Sequence, residues 1–169
     1  MESFITKKEN LQSKNDVQVP LIVFKLGLEE YGIRIEQVKE VTITPTITSM
    51  PKTPTYIRGV ANIRGDIIAI MDLEEKLNII DKTISVGQKG TYTLVVERES
   101  FSIGLIVREV PQTLNLSASQ IEKSPGIIND YDLGEKYIEG IGKVNGRLVI
   151  ILDIAKILQF EENQNLNKK

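Results

Sequence analysis

The sequence predicts a mainly β protein made of two similar five-stranded β-barrel lobes with a few short helices. Three observations lead to this prediction. Apolar residues fall in short runs bounded by Gly, Asn and Pro, as strands do. One block of the sequence recurs later at a fixed offset, and in both copies a strand runs directly into an Asp-capped helix.

Several apolar stretches carry the strand signal. They are short, rich in β-branched residues and bounded by turn formers, so their length fits strands better than helices. They are VPLIVFKL (19–26), YGIRI (31–35), DIIAIMDL (66–73), TYTLVVE (91–97), SFSIGLIV (100–107) and RLVIILDI (147–154). Residues 17–160 are therefore predicted to form one mainly β domain.

Helix signals are few and short. Asp72 and Glu75 form a capping pattern that opens LEEKLNI, and Asp153 opens IAKILQFEE. A short side-chain acceptor at a helix start binds the free N–H groups of the first turn. Ser117 and Gln120 form a similar pair around ASQIE. We therefore expect two helices that begin where strands end, and one further short helical turn.

The internal repeat supports two equivalent lobes. Seven residues of the first copy recur at one fixed offset in the second. In the first copy they are Tyr56, Ile57, Gly59, Gly65, Ile70, Asp72 and Leu77. In the second copy they are, in the same order, Tyr137, Ile138, Gly140, Gly146, Ile151, Asp153 and Leu158. A weaker echo links 31–41 to 101–110. The lobes are predicted at roughly 17–80 and 81–160, and exchange of strands between them stays open.

Four segments are predicted to be irregular, apart from the short helical turn around ASQIE. The connections at 42–55 and 111–136 are rich in Pro, Thr, Ser and Gly, which favour turns and irregular chain. Residues 1–16 and 161–169 are polar and poor in apolar anchors, and we predict that they are disordered tails.

Composition argues against several classes of function. The chain has no cysteine and no histidine, which removes thiolate metal sites and the usual general base at neutral pH. Its charge of −2, its 5% aromatic content and its lack of tryptophan do not suit a nucleic-acid surface. We predict no enzyme activity, no cofactor, no metal and no nucleic-acid partner. A small-molecule-binding barrel stays open, although no polar cluster supports it.

The expected location follows from what the sequence lacks. No secretion signal opens the chain, and no apolar run reaches the ~20 residues of a membrane-spanning helix. We therefore expect a soluble, cytoplasmic protein without direct membrane insertion.

The hairpin corners differ between the two copies. Asn145-Gly146 suits a two-residue type I′ turn, which requires positive φ at both positions. The first copy has Arg64-Gly65, and an arginine at positive φ costs ~1 kcal/mol or more. Two interpretations stay open. In the first, a three- or four-residue loop accommodates a solvated Arg64 without strain; in the second, the guanidinium projects from a strained corner toward a partner.

The repeated blocks resemble a known family. LIVFKLGLEEYGIRIEQVKEV, PTYIRGVANIRGDIIAIMDL, IGLIVREV and YIEGIGKVNGRLVIILDI look like the CheW family of chemotaxis coupling proteins, from about Val19 to Leu158. The resemblance implies one CheW-like domain of two SH3-like barrels without catalytic activity. Such an adaptor couples the cytoplasmic tips of chemoreceptors to the regulatory domain of the histidine kinase CheA, in arrays associated with the membrane.

The resemblance also implies partners and site residues. The partners would be CheA and methyl-accepting chemotaxis receptors. The implied receptor-binding residues are Arg64, Gly59, Val38 and Val110, and the implied kinase-binding residues are Glu40 and Ile127. Val38 and Val110 would line one groove, and Arg64 would be the arginine that contacts the receptor.

Overall fold

The structure is a computed structural model that describes residues 16–79, 91–99, 101–123 and 137–158. Its strands are β1 (Gln18–Leu26), β2 (Glu29–Arg34), β3 (Val38–Ile43), β4 (Ile57–Ile63), β5 (Asp66–Asp72), β6 (Tyr92–Arg98), β7 (Phe101–Val107), β8 (Gln112–Ser117), β9 (Ile121–Glu122), β10 (Ile138–Val144) and β11 (Arg147–Leu152). Helix α1 is Leu73–Lys76, residues 154–158 form helix α2, and 3₁₀ turns lie at Ile35–Gln37 and Ala118–Gln120. Apart from residue 16, both predicted tails lie outside the described residues.

The strands form two sheets with the same internal plan. Lobe 1 is the sheet β3-β6-β7-β5-β4, and lobe 2 is the sheet β8-β1-β2-β11-β10-β9. Each lobe contains one hairpin of the sequence repeat, β4–β5 in lobe 1 and β10–β11 in lobe 2. A second antiparallel hairpin joins it through a parallel strand pair, β5 with β7 in lobe 1 and β11 with β2 in lobe 2. The mainly β, two-lobed architecture is therefore the one that the repeat predicts.

The two lobes exchange hairpins. The strands β1 and β2 precede lobe 1 in the sequence but lie in lobe 2, whereas β6 and β7 lie in lobe 1 between β3 and β5. Each sheet therefore draws on both halves of the chain, and a division near residue 80 does not separate the two sheets. The exchange that the sequence left open is the arrangement that the structure has.

Three apolar clusters hold the fold together. One cluster lies entirely within lobe 1, around the buried residues Ile63, Ile70 and Val95, and a second lies within lobe 2, around Leu21 and Val149. Because a single sheet can enclose a cluster only by curving around it, each lobe is a barrel. The third and largest cluster contains residues of both sheets and of both helices, so it joins the lobes.

The repeat is preserved in the hydrogen bonds that start the helices. The Asp72 amide donates to the Tyr56 carbonyl at 2.8 Å, and the Asp153 amide donates to the Tyr137 carbonyl at 2.7 Å. Asp72 Oδ1 accepts from the Glu74 amide at 3.1 Å, which caps α1. The Asp153 carboxylate caps α2 in the same way, so the predicted helix starts agree with the structure.

The connection predicted at 111–136 is partly wrong. Its beginning forms β8 and β9 rather than irregular chain, whereas the 3₁₀ turn Ala118–Gln120 between them is the short helical turn that Ser117 and Gln120 predict. Thr113, Leu114, Asn115 and Leu116 alternate polar and apolar residues, and the apolar Leu116 is fully buried in the lobe 2 core. This period of two is a strand signal that the neighbouring Pro111 and the following serines obscured.

Candidate functional site

The turn between β4 and β5 is a two-residue hairpin corner. Ile63 lies opposite Asp66, with only Arg64 and Gly65 between them. Both turn residues have positive φ, +52° for Arg64 and +90° for Gly65. The alternative of a longer, unstrained loop is therefore wrong, and Arg64 occupies a conformation that an arginine rarely adopts.

The side chain of Arg64 reaches from this corner to β3. Its Nε lies 2.9 Å from Glu40 Oε2; the Arg64 side chain is 83% exposed, whereas that of Glu40 is only 18% exposed. Because β3 and β4 are the two ends of the lobe 1 sheet, the ion pair spans the opening between them. A depression of about 180 Å³ lies there, lined by Glu40, Val41, Thr42, Pro45, Asn62, Ile63 and Arg64.

The corresponding places in lobe 2 carry no charge. In lobe 1, Glu40 of β3 lies opposite Val95 of β6, the strand that pairs with β7 on its other side. Gln112 occupies the same position in lobe 2, opposite Val23 on β1. The equivalent of the arginine is Asn145, with a φ of +48°. Lobe 1 therefore has an ion pair where lobe 2 has two amides.

The exposed side of β3 is apolar next to this ion pair. Val41 is 42% exposed and Ile43 is 72% exposed. The pairing of β8 with β1 puts Thr113 and Asn115 at the same places in lobe 2. Solvent-exposed strand positions are ordinarily polar, as these two positions are in lobe 2, so the exposed apolar residues distinguish β3 from its lobe 2 counterpart.

Gly59 has a clear structural reason to be glycine. It has a φ of +143° and lies at a β-bulge in β4, and a Cβ there would overlap the backbone carbonyl of Thr48. Its repeat partner Gly140 also lies at a bulge, where a Cβ would lie 2.8 Å from the carbonyl oxygen of Glu122. Both glycines let a crossing segment close the barrel, and a receptor contact by Gly59 stays a prediction.

Val38 and Val110 lie on different segments of the described structure. Val38 lies opposite Val96 on β6 and packs against the interlobe cluster. Val110 is 60% exposed in the link between β7 and β8. A common groove for Val38 and Val110 stays a prediction. Ile127 lies outside the described residues.

A second charge difference between the copies also has a structural explanation. Arg58 Nη2 donates to Asp72 Oδ2 at 2.7 Å, so the arginine holds the carboxylate that caps α1. The equivalent residue Glu139 instead accepts from Arg34 Nε at 2.7 Å, and this hydrogen bond raises the pKa of Arg34. The two lobes thus use different ion pairs on one scaffold.

The repeated tyrosines meet at the interface between the lobes. The Lys76 ammonium lies 4.1 Å from the ring centroid of Tyr56 and 5.8 Å from that of Tyr137. An ammonium over an aromatic face is attracted by the ring quadrupole. One lysine of α1 therefore contacts the same tyrosine from each copy, which agrees with equivalent packing sites for both.

A family model described as a CheW-like domain matches residues 20–162. The chain belongs to the CheW family. It is 30% identical to the chemotaxis protein CheW of Treponema pallidum, over 90% of this chain and 89% of the relative. It is 35% identical to the chemotaxis protein CheW of Klebsiella aerogenes, over 83% of this chain and 82% of the relative. The family recognised from the sequence is confirmed.

A solved structure supports the same assignment. The crystal structure of the scaffolding protein TtCheW from Thermoanaerobacter tengcongensis matches with a TM-score of 0.72 and 31% identity, over 81% of this chain and 90% of that one. The CheW-like, two-lobed fold class is therefore confirmed. Within the described part of this CheW-family chain, no helix has the length and apolar character that a membrane span requires.

The ion pair between Arg64 and Glu40 cannot be predicted from either residue alone. The resemblance implies a kinase contact for Glu40 and a receptor contact for Arg64, and no contact between the two. The signal was present in the repeat, since both residues become amides in lobe 2. Reading it requires the alignment of β3 with β8, which only the strand pairing provides.

Proposed function

We propose that this CheW-family chain is a non-catalytic adaptor that couples the cytoplasmic tips of chemoreceptors to the histidine kinase CheA, through the CheW-like regulatory domain of that kinase. It would thereby support the assembly of signalling arrays at the membrane and the control of the kinase. The observation that carries the proposal is the asymmetry of the lobes. One scaffold is built twice, but only lobe 1 bears the strained Arg64, its partner Glu40 and the exposed apolar strand beside them.

The stability of the fold does not account for this asymmetry. Asn-Gly forms the same corner in lobe 2 with little strain, whereas arginine at positive φ costs ~1 kcal/mol or more. An ion pair with one exposed partner contributes roughly 0–1 kcal/mol, which at most offsets the strain. A planar, permanently charged group held at the tip of a rigid hairpin suits recognition of a partner carboxylate.

The relatives support the partner class. The relatives from Treponema pallidum and Klebsiella aerogenes are both named chemotaxis protein CheW, and the solved structure is described as a scaffolding protein. We infer that Arg64 contacts the receptor, with Gly59, Val38 and Val110 contributing to the same surface. Glu40 and Ile127 would contribute to the contact with the kinase.

The proposal is tested by co-sedimentation with receptor-containing membranes. Membranes with the cognate chemoreceptor are mixed with CheA, with or without this chain, and the pelleted kinase is measured. We expect the kinase to pellet with the receptor only when the chain is present. With Arg64→Asn, less kinase and less adaptor should pellet, while a titration with the isolated regulatory domain of CheA should give an unchanged affinity.

Two results would contradict the adaptor function. The kinase could pellet equally well without the chain, or the chain could fail to bind either partner at micromolar concentration. A loss of both contacts in the Arg64→Asn variant would instead show that Arg64 does not separate the two surfaces. A thermal melt of the variant controls for unfolding.

A further inference from the structure

The Arg64-Gly65 corner is held by a side chain from the preceding strand. Asn62 Oδ1 accepts from the Gly65 amide at 2.9 Å. Gly65 lies outside the pairing of β4 with β5, which ends at Ile63 and Asp66. The Gly65 amide therefore has no partner in the strand ladder, and Asn62 supplies an acceptor for it.

Lobe 2 lacks the residue that could make this bond. The repeat partner of Asn62 is Lys143, which pairs with Glu122 at 2.9 Å. An ammonium group has only donors and cannot accept from the Gly146 amide. The corner made of Asn145 and Gly146 thus forms without an acceptor from that strand position.

We propose that Asn62 is a positioning residue that fixes the corner and thereby aims Arg64 at its partner. The inference rests on the proposed contact between Arg64 and the receptor. Asn62 itself need not touch the receptor, because it acts through the Gly65 amide.

The physical reason lies in the residue at the corner. Asparagine tolerates positive φ, so Asn145-Gly146 favours the type I′ turn by itself. Arginine does not, so the turn at Arg64 needs an added interaction to remain in this form. Without the hydrogen bond from Gly65, the corner would populate other conformations and the guanidinium would be ordered only on binding, which lowers affinity.

The experiment uses the full chain and five variants. Asn62→Ala removes the acceptor, Asn62→Asp retains one, and Arg64→Asn removes the need for it. The fourth variant combines Asn62→Ala with Arg64→Asn, and Lys143→Ala is the matched control in lobe 2. The measurements are amide hydrogen exchange by NMR and titration with a soluble fragment of the cognate chemoreceptor that contains its cytoplasmic tip.

The expected results are specific to lobe 1. In Asn62→Ala the Gly65 amide should exchange about tenfold faster, while exchange of the Gly146 amide stays unchanged. Affinity for the receptor fragment should fall about three- to tenfold, the usual effect of losing one hydrogen bond. Asn62→Asp should retain the affinity within about threefold, and Lys143→Ala should leave it unchanged. In the Arg64→Asn background, Asn62→Ala should have less than about a twofold effect.

Each other outcome has a definite meaning. Unchanged exchange of Gly65 in Asn62→Ala would show that the hydrogen bond does not hold the corner, and the inference would be wrong. Faster exchange with unchanged affinity, or an equal loss of affinity in both backgrounds, would also overturn it. If Arg64→Asn binds the receptor fragment as the parent does, then the proposed contact itself is wrong, and the inference falls with it.

Discussion

The guanidinium of Arg64 lies 2.9 Å from the carboxylate of Glu40 and so bridges the two edge strands of lobe 1. The bridge exists in one lobe only, since lobe 2 has Asn145 and Gln112 in its place. The same hairpin corner therefore occurs twice in the chain, with charged residues in lobe 1 and uncharged residues in lobe 2. Comparing the two corners shows the effect of the charge.

The first prediction exchanges the two corners. Arg64→Asn should leave the melting temperature unchanged or raise it by up to ~4 °C, because it relieves strain of ~1 kcal/mol and loses a weak surface ion pair. Asn145→Arg should lower it by ~2–4 °C, since lobe 2 has Gln112 where the partner carboxylate would be. Thermal melts by circular dichroism measure both. A fall for Arg64→Asn without a fall for Asn145→Arg would contradict the role of strain.

The second prediction compares two glycines of the first hairpin. Gly59→Ala should destabilise the fold by more than ~2 kcal/mol, because the new Cβ would overlap the backbone carbonyl of Thr48. Gly65→Ala should cost only ~1 kcal/mol, since no atom lies within 4 Å of its Cβ position and only the positive φ is unfavourable. Urea denaturation gives both values. Equal costs would mean that the crossing segment moves aside without penalty.

The third prediction concerns the two helix caps. Asp72→Ala should cost more than Asp153→Ala, for which we expect ~0.5–2 kcal/mol, because Asp72 both caps α1 and accepts from Arg58 at 2.7 Å. Asp72→Asn keeps the cap acceptor and removes the charge, so it should lie between the parent and Asp72→Ala. The midpoints of urea denaturation provide the comparison, and a larger cost at Asp153 would refute it.

The fourth prediction uses pH. The hydrogen bond from Arg147 lowers the pKa of Glu30 below its ordinary value of 4.5, so the charged form is favoured in the folded state. The stabilisation is therefore complete above that ordinary pKa and is lost as the pH falls through the lowered one. Arg147→Ala should melt below the parent at pH 7, and the gap should close as the pH falls below about 4.5.

A double-mutant comparison is the control for this pH effect. In a Glu30→Gln background, Arg147→Ala should change the melting temperature equally at every pH, because the titrating partner is gone. A gap that stays constant with pH in the Glu30 background would show that the ion pair does not contribute to stability.

The repeat made most of the architecture predictable. Residues such as Gly65 and Asp72, matched by Gly146 and Asp153, mark a hairpin corner and a helix start, and both features depend on local sequence. Which strands pair with each other does not depend on local sequence. Strand β1 is apolar on both faces and does not by itself mark which sheet it joins, so the transfer of the β1–β2 hairpin to lobe 2 depends on the packing of the whole chain.

The candidate site was predictable only in part. The unsuitability of arginine for a type I′ turn identified Arg64 from the sequence. The positions of Glu40 and Asn62 around it could not be found in this way, because they depend on which strand forms the edge of the sheet and on which direction a side chain takes at the corner. For Gly59 the resemblance implies a contact residue, but the structure shows a steric reason for glycine, the close approach of the Thr48 backbone. The sequence does not show this steric reason.

The last prediction decides which partner Glu40 serves. Its carboxylate is mostly covered and bound to Arg64, yet the family resemblance assigns it to the kinase. Glu40→Gln installs the residue that lobe 2 has at this place, with nearly the same shape and no charge. If Glu40 contacts the kinase directly, the variant should bind the isolated CheA regulatory domain about ten- to a hundredfold more weakly, as expected for loss of a charge-assisted hydrogen bond.

Titration of the same variant with the receptor-tip fragment tests the alternative role of Glu40. If Glu40 acts only by holding Arg64, then Glu40→Gln should weaken binding of the receptor-tip fragment and leave the kinase domain unaffected. The loss should then disappear in an Arg64→Asn background, because a residue that works through Arg64 has no effect once Arg64 is gone. We expect the kinase contact, since Glu40 lies on the edge strand β3, whose exposed Val41 offers a second protein a place to dock beside it. A loss confined to the receptor and dependent on Arg64 would refute this and would assign the whole ion pair to receptor recognition.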